Sequence, residues 1–283
     1  MTLPDRKTLR FVTLNLWGQN GPHEARLQLV IEGLKTLDVD IAALQEVREV
    51  PGSLVNQAET VAAALGMNFV FAPATAWGGG HEGLAVLSRF PIQASFAKAL
   101  PHSKPDEGRA CLSAQIAGPA GSLWAHTTHL SYRQDEGRLR EDQVLALDDE
   151  VRARAEPELK EQPQVLMGDF NSVPEADEVR WLSGLTTLAD RRAYYQDAFA
   201  AIHPGAPGIT WARENPFRAR MNWLKADRRL DYIFVTPERR DGRGTIRDAR
   251  VVLDQPDAAG LYPSDHAGVL ADVQIFPDGE GTE

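Results

Sequence analysis

The chain has 283 residues, of which 43% are hydrophobic and 25% are charged, and its formal net charge is −10. These values are typical of a globular protein, and the sequence contains no apolar span of about twenty residues and no internal repeat. The negative charge argues against avid, nonspecific binding to long nucleic acids, because such binding requires a positively charged face. A local basic patch remains compatible with a negative net charge.

The amino-terminal segment and the cysteine content predict the cellular location. The first ten residues lack the apolar core of a signal peptide, and Cys111 is the one cysteine of the sequence. A cytoplasmic protein without disulfide bonds is therefore expected. We also expect no membrane anchor and no obligatory protein partner. Cys111 lies within an apolar strand, which predicts core packing rather than a nucleophile.

Apolar periodicity predicts strands and helices through the first half of the chain. The second helix ends before Gly66, a residue type that commonly closes helices. The glycine-rich tract 77–83 predicts a mobile loop. The predicted strands are residues 8–16, 40–44, 68–71, 84–87, 111–116 and 122–128, and the predicted helices are residues 23–37 and 56–65.

The second half predicts a long helix followed mainly by strands. Its Pro and Gly residues make the segment 203–230 irregular. The predicted elements are a helix at 136–154, a buried strand within 164–171, a helix start at 174–177, and strands at 230–235, 245–253 and 268–275.

The order of these elements predicts the fold class. Strands outnumber helices and often follow one another directly, which excludes a pure βαβ alternation. An α/β fold of two mixed or mostly antiparallel sheets, packed together with helices outside, fits better. No stretch has the composition of a linker, so we assign residues 1–283 to a single domain with its core at about 8–275.

Polar side chains cluster near the ends of several predicted strands. Asp169 and Asn171 follow an apolar run, and Gly168, just before Asp169, would let the backbone turn sharply at the end of this run. Such an oxygen-rich pair suits a ligand site at a strand end, although an Asp-Asn turn is the alternative. Glu46 follows another buried run and suits a hard divalent cation, the alternative being a solvated loop carboxylate. Asn15 alone fits a turn cap equally well.

Three histidines near strand ends raise the question of acid-base chemistry or zinc binding. Adjacent residues rarely contact each other, so Asp231 is a better orienting partner for His266 than Asp265 is. His126 and His129 are three residues apart, but no cysteine or second histidine pair completes a tetrahedral zinc site.

Taken in order, the motifs resemble those of the endonuclease/exonuclease/phosphatase superfamily, whose members include deoxyribonuclease I-like enzymes. The resemblance covers about residues 8–275 and implies a deoxyribonuclease I-like four-layer sandwich, in which helices flank two mixed β-sheets. The motifs are Thr13-Leu14-Asn15-Leu16-Trp17, Leu44-Gln45-Glu46-Val47, residues 83–89, Thr128-His129-Leu130, Gly168-Asp169-Phe170-Asn171, residues 229–233 and Ser264-Asp265-His266.

The resemblance also implies a cofactor. Glu46 would be the direct ligand of a catalytic Mg²⁺, with Mn²⁺ as a possible substitute. Asn15 would lie beside it, and Asp265 would support the metal.

The resemblance further implies catalytic roles. Asp169 and Asn171 would hold or activate the attacking water. His266, oriented by Asp231, would act as a general base or stabilise the transition state, so Asp169 and His266 both remain candidates for the base. His129 would donate a hydrogen bond to a phosphate oxygen.

One basic and aromatic segment precedes Asp231 and suggests where substrate binds. Arginine suits phosphate, and tryptophan suits a base or another ring. The alternative is that the rings pack the loop down while the arginines pair with acids. We predict Arg109, Arg218 and Trp223 as substrate-binding residues. The segment contains Trp211, Arg213, Phe217, Arg218, Arg220, Trp223, Lys225, Arg228 and Arg229.

Three functions are compatible with the sequence. The first is a divalent-metal-dependent phosphodiesterase or phosphatase that hydrolyses a small or lipid-derived phosphoester by in-line attack of water. The second is a DNA or RNA nuclease of the same superfamily, which the net charge disfavours. The third is an inactive member that serves as a binding module. It would be expected to lack Glu46, Asp169 or His266, and all three are present.

Overall fold

The computed structural model describes residues 8–104, 107–155, 162–221 and 226–278. Its strands are β1 (Thr8–Asn15), β2 (Ile41–Glu49), β3 (Asn68–Trp77), β4 (Gly80–Ser88), β5 (Ile92–Ala99), β6 (Ala110–Gly118), β7 (Gly121–His129), β8 (Val165–Asp169), β9 (Gln196–Asp197), β10 (Asp231–Val235), β11 (Ile246–Val252) and β12 (Gly268–Gln274). The helices are α1 (His23–Thr36), α2 (Gln57–Leu65), α3 (Gly137–Ala153), α4 (Asp177–Leu182) and α5 (Ala198–Ile202), and a 3₁₀ helix spans Pro216–Met221.

The strands form two six-stranded mixed sheets. The first sheet has the order β11-β12-β1-β2-β4-β3, and the second has the order β5-β6-β7-β8-β10-β9. Each sheet contains one parallel pair, β1 with β2 and β7 with β8, while its other pairs are antiparallel. The predicted α/β fold of two mixed sheets is confirmed.

Alternation along the strands produces four layers. Phe11 in β1 packs into the apolar cluster between the sheets, whereas the next residue, Val12, packs toward Val30 and Leu34 of α1. In the second sheet, Leu166 faces a cluster that includes residues of α3 and α4. Because successive strand side chains point to opposite faces, an unbroken apolar run fills two layers at once. Helices α1 to α4 therefore cover the outer faces, as predicted, whereas α5 packs against the cluster between the sheets. The single-domain assignment stays a prediction.

Helix boundaries follow local capping chemistry. The side chain of Asn56 accepts hydrogen bonds from the backbone N–H groups of Ala58 and Glu59, which caps α2. Gly66 closes the helix with a φ of 65°, the left-handed conformation in which glycine is not strained. No helix among the described residues is both long enough and apolar enough to cross a membrane.

The glycine-rich tract differs from its prediction as a mobile loop. Residues 77–83 instead form a tight hairpin, in which Trp77 of β3 pairs with Gly80 of β4. Gly78 and Gly79 occupy the turn with φ of 55° and 76°. Two consecutive residues with positive φ form a hairpin turn whose twist matches the strands, so the glycines continue the sheet instead of interrupting it.

His126 lies in the core and not in a metal site with His129. An odd spacing along β7 places the two side chains on opposite faces of the sheet. The ring of His126 lies 2.8 Å from both Ser113 Oγ and Gln164 Oε1. Its burial lowers its pKa to about 4, so the imidazole is neutral in the folded protein.

The buried His126 is expected to make the protein sensitive to acid. Its folded-state pKa lies below the unfolded value of about 6.5, so its stabilising contribution is complete above that pH and is lost as the pH falls toward 4. The loss is about 3 kcal/mol, because each unit of the pKa difference corresponds to about 1.4 kcal/mol. Melting temperatures between about pH 7.5 and 4.5 should fall less steeply for His126→Asn than for the wild type. Parallel curves would contradict this assignment.

Candidate active site

Strand pairing gathers the polar strand ends at one rim of the sandwich. In the parallel pair β7–β8, His129 is in register with Asp169, and Asp231 at the start of β10 also pairs with Asp169. The segment before β12 meets the end of its antiparallel partner β1, where the Ser264 hydroxyl donates to the carbonyl oxygen of Asn15 at 2.6 Å. Topology therefore brings these predicted residues together.

The amide of Asn15 links two acidic residues. Its Nδ2 donates to Glu46 Oε1 and to Asp169 Oδ2, both at 3.0 Å. Its Oδ1 accepts from the backbone N–H of Trp17 at 2.9 Å. Asn15 thus holds carboxylates from the two different sheets in one fixed arrangement.

Asp169 and two histidines form a second part of the site. Nδ1 of His266 lies 2.8 Å from Asp231 Oδ2, the orienting contact predicted for this pair. Nε2 of His266 and Nε2 of His129 lie 3.7 and 3.6 Å from Asp169 Oδ2. Asp169 Oδ1 accepts from the backbone N–H of Asn171 at 2.8 Å, and the Asn171 amide donates to a backbone carbonyl at 3.1 Å. Asp169 is therefore the centre of the cluster.

Unusual backbone conformations occur at this rim. Trp17, Glu46 and Asn171 have φ of 56°, 51° and 49°, which non-glycine residues adopt rarely. Glu46 lies at a bulge inside β2 and not beyond the strand end, because the register with β4 shifts between Leu44 and Val47. Bulges redirect side chains next to active sites, and such strain is concentrated at functional positions.

The role of Gly168 differs from the sharp turn expected. The residue lies within β8 and pairs with both neighbouring strands. A Cβ at this position would lie 2.2 Å from the carbonyl oxygen of Thr128. Glycine is therefore required for the close approach of two strands that places His129 beside Asp169.

Burial and neighbouring charges set the protonation of the cluster. Burial raises the pKa of Asp169 to about 7, against the lowering effect of His266. Burial alone would lower the pKa of His266, but Asp231 and Asp169 outweigh it and raise that pKa well above its usual value. Burial, Arg109 and His266 lower the pKa of His129 well below its usual value. At neutral pH, His266 is thus cationic and His129 is neutral.

Three further acidic side chains, those of Glu46, Glu82 and Asp265, line a cavity beside this cluster. Burial, together with the charge of Glu46, raises the pKa values of Glu82 and Asp265 to about 7, and His266 opposes this effect at Asp265. Glu82 was not predicted as a site residue, because it lies within the tract 77–83 that was assigned to a loop. The available signal was its place just before the apolar run 84–87. Glu82 instead belongs to β4, where its backbone is in register with that of Arg48 in β2. This register places Glu82 next to Glu46.

These residues fit a divalent cation. Uncompensated carboxylates that raise one another's pKa are stabilised by positive charge, and Mg²⁺ prefers oxygen ligands. Among the described residues, Asp169, Asp231 and His266 also offer ligand atoms that lie within 4.8 Å of one another. Oδ1 of Asp231 is buried without a hydrogen-bond partner among them. The rim therefore contains potential metal ligands on both sides of Asp169.

The cavity above the rim has a volume of about 490 Å³ and mixed walls. The rings of Trp17 and Phe217 are in contact there, with centroids 4.7 Å apart. Arg109 lines it with a buried Nε that has no partner among the described residues, although another nitrogen pairs with Glu107 at 3.3 Å. Both aromatic and cationic groups are thus available to a substrate.

The predicted basic segment is only partly directed at this cavity. Arg218 lines it, yet it also pairs with Asp227 at 3.1 Å and stacks over Trp211 at 4.0 Å, so part of its role is to hold the loop. Trp223 and Lys225 lie outside the described residues.

Arg26 is a further residue that the sequence did not reveal. It is buried in the first turn of α1, where its guanidinium donates to the carbonyl oxygens of Leu16, Gly18, Asn20 and Pro263. Burial lowers its pKa to about 10, against the opposing effects of Asp265 and Glu46. It ties together the loops that carry Trp17 and Asp265.

A larger cavity of about 690 Å³ contains none of these residues. Gln164 and Thr236 line it, at the opposite ends of β8 and β10 from Asp169 and Asp231. Volume alone therefore does not identify the functional site here.

Comparison with known sequences identifies the family. The sequence profile of the Endonuclease/Exonuclease/phosphatase family matches residues 12–266. The chain belongs to this family. Its members are hydrolases that act on phosphoester bonds, including nucleases and phosphodiesterases. No curated protein matches the sequence at a significant level.

Solved structures of this family share the fold. D. rerio TDP2 in complex with a single-strand DNA product has a TM-score of 0.75 and 18% identity, with 94% of this chain and 98% of that chain covered. The human Nocturnin catalytic domain with a bound sulfate anion has a TM-score of 0.71 and 20% identity, with 96% of each chain covered. An endonuclease/exonuclease/phosphatase family protein from Leptotrichia buccalis has a TM-score of 0.69 and 17% identity, with 95% of this chain and 99% of that chain covered.

Proposed function

We propose that this family member is a divalent-metal-dependent phosphodiesterase that hydrolyses a small phosphoester by in-line attack of water. The observation that carries the proposal is the link made by Asn15, which joins Glu46 to Asp169 at 3.0 Å on each side. Glu46, with Asp265 and Glu82 near it, would hold Mg²⁺ or Mn²⁺. The bound cation would neutralise charge on the phosphoryl oxygens. Asn15 would orient Glu46 toward it.

The protein groups divide the remaining chemistry according to their protonation. Asp169 accepts the proton of the attacking water, because its raised pKa makes it a better base than an ordinary carboxylate. The cationic His266, held by Asp231, stabilises negative charge that develops in the transition state. Neutral His129 donates a hydrogen bond to a phosphoryl oxygen, and Asn171 helps to position the water. Cys111 is buried, and its pKa is raised to about 12, so it supplies no nucleophile.

Hydrolysis of simple esters tests this proposal. Bis-p-nitrophenyl phosphate, p-nitrophenyl phosphate and a DNA duplex with an abasic site would be incubated with Mg²⁺, with Mn²⁺ or with EDTA. We expect metal-dependent cleavage of the small diester, a large loss in His266→Ala, and no loss in the control His102→Ala, whose side chain is exposed outside the cavity. Equal rates in EDTA and Mg²⁺ would refute metal dependence.

A nuclease is the second candidate function. The Trp17–Phe217 pair and the arginines of the cavity wall suit a stacked base and a phosphate backbone. The TDP2 structure with a DNA product shows that this fold accommodates single strands in that protein. The net charge of −10 disfavours long substrates. Nicking of the duplex, with a KM that rises steeply with salt, would favour the nuclease.

A further inference from the structure

Arg228 lies in the cavity wall at a fixed position. Its backbone forms a bridge with Trp211, with N···O distances of 2.9 and 3.1 Å in the two directions. The next residue, Arg229, is buried and forms an ion pair with Asp197 at 2.9 Å. The guanidinium of Arg228 therefore projects from a rigid segment into the cavity that contains Asp169.

Arg228 differs from the two arginines near it. Arg140 donates to Glu178 at 2.7 Å, and Arg218 pairs with Asp227 at 3.1 Å. Arg228 has no ion pair with any described residue. Its Nη1 donates to Oε1 of the neutral Gln134 side chain at 3.3 Å, and its Nε is buried without a hydrogen-bond partner within the described ranges. Burial lowers its pKa, as do the charges of Arg218 and Arg140.

This arrangement is unfavourable unless an anion binds. A buried, charged N–H group that lacks a partner loses its hydration without a compensating hydrogen bond. Guanidinium groups bind phosphate oxygens through several parallel N–H donors. An anionic group in the cavity would therefore satisfy Arg228 and screen it from its cationic neighbours.

We infer that Arg228 forms a second phosphate subsite, so that the natural substrate carries another phosphate group besides the scissile phosphoester. This inference rests on the proposed function, because the scissile group is assigned to the strand ends at Asp169 and His266. Arg228 belongs to a different segment, before β10, and is not needed to explain the reaction. It would act on specificity, as a binding residue for the part of the substrate that does not react.

Calorimetric binding tests the subsite without requiring turnover. Two matched pairs of anions would be titrated at a fixed free Mg²⁺ concentration, namely orthophosphate with pyrophosphate, and thymidine 5′-phosphate with thymidine 3′,5′-bisphosphate. The two pairs present different spacings of the second phosphate. The proteins are the wild type, Arg228→Gln, Arg228→Lys and the matched control Arg213→Gln. Arg213 lies in the same loop, and its side chain is 71% exposed.

We expect the wild type and Arg213→Gln to bind at least one bisphosphate about tenfold more tightly than its monophosphate partner. Arg228→Gln should lose this preference, and Arg228→Lys should keep part of it. An equal affinity of the wild type for both members of each pair would overturn the subsite, as would a preference that survives in Arg228→Gln. Because binding is measured directly, a bisphosphate preference in a protein that does not cleave bis-p-nitrophenyl phosphate with either metal would refute the proposed function and leave the subsite standing. Unaltered melting temperatures would show that the variants are folded.

Discussion

Replacing Asp169 with Asn is expected to lower kcat by roughly a thousandfold, the order of magnitude by which a positioned acid or base accelerates proton transfer. The amide has the same shape but cannot accept a proton from water. In the wild type, the amide of Asn15 donates to Asp169 Oδ2. The substitution can place a second N–H group opposite this donor, where no acceptor remains. Steady-state hydrolysis of bis-p-nitrophenyl phosphate measures this effect. Asp177→Asn, at an exposed position on α4, is the matched control.

The pH profile separates a base from a structural residue at this position. In the wild type the rate should rise with pH as Asp169 loses its proton, and a bound cation should place that rise below the pKa of about 7 of the metal-free site. Asp169→Asn should lose this acid limb. A kcat within tenfold of the wild type, with the limb preserved, would assign the base to another group, and His266 would be the first to reconsider.

Replacing Glu46 with Ala is expected to abolish metal binding and to lower metal-supported turnover by about 10²- to 10³-fold. Glu46 is the acidic residue that raises the pKa values of both Glu82 and Asp265, so its loss removes like-charge repulsion at the rim. The metal-free variant should therefore melt at the same temperature as the metal-free wild type or higher. Calorimetric titration with Mg²⁺ and with Mn²⁺ provides the direct readout.

Two companion variants make the Glu46 result interpretable. Glu46→Gln keeps the shape of the side chain and an acceptor for Asn15 while removing the charge. Glu59→Ala removes an exposed carboxylate from α2 and serves as the control. Full activity of Glu46→Ala with unchanged metal affinity would move the metal to the group formed by Asp169, Asp231 and His266.

Local sequence information predicted most of the elements because burial and capping depend on near neighbours. Apolar alternation placed β1 within about one residue, and Asn56 and Gly66 marked the ends of α2 through their own side-chain and backbone chemistry. The same reasoning missed β5, most of whose side chains are exposed. It also mistook the glycine hairpin for a loop, since glycine permits both a hairpin turn and a flexible chain.

The amino-acid sequence alone specifies the residue types of the site and their order along the chain. The contacts among these residues depend on the fold. Parallel pairing of β7 with β8 sets His129 beside Asp169, and the bulge in β2 turns Glu46 toward Asn15. The protonation of these groups, and the lack of an ion pair between Arg228 and any described residue, depend on burial and on charges contributed by distant segments. Electrostatic energies depend on distance in space and on exposure to water, neither of which is fixed by spacing along the chain.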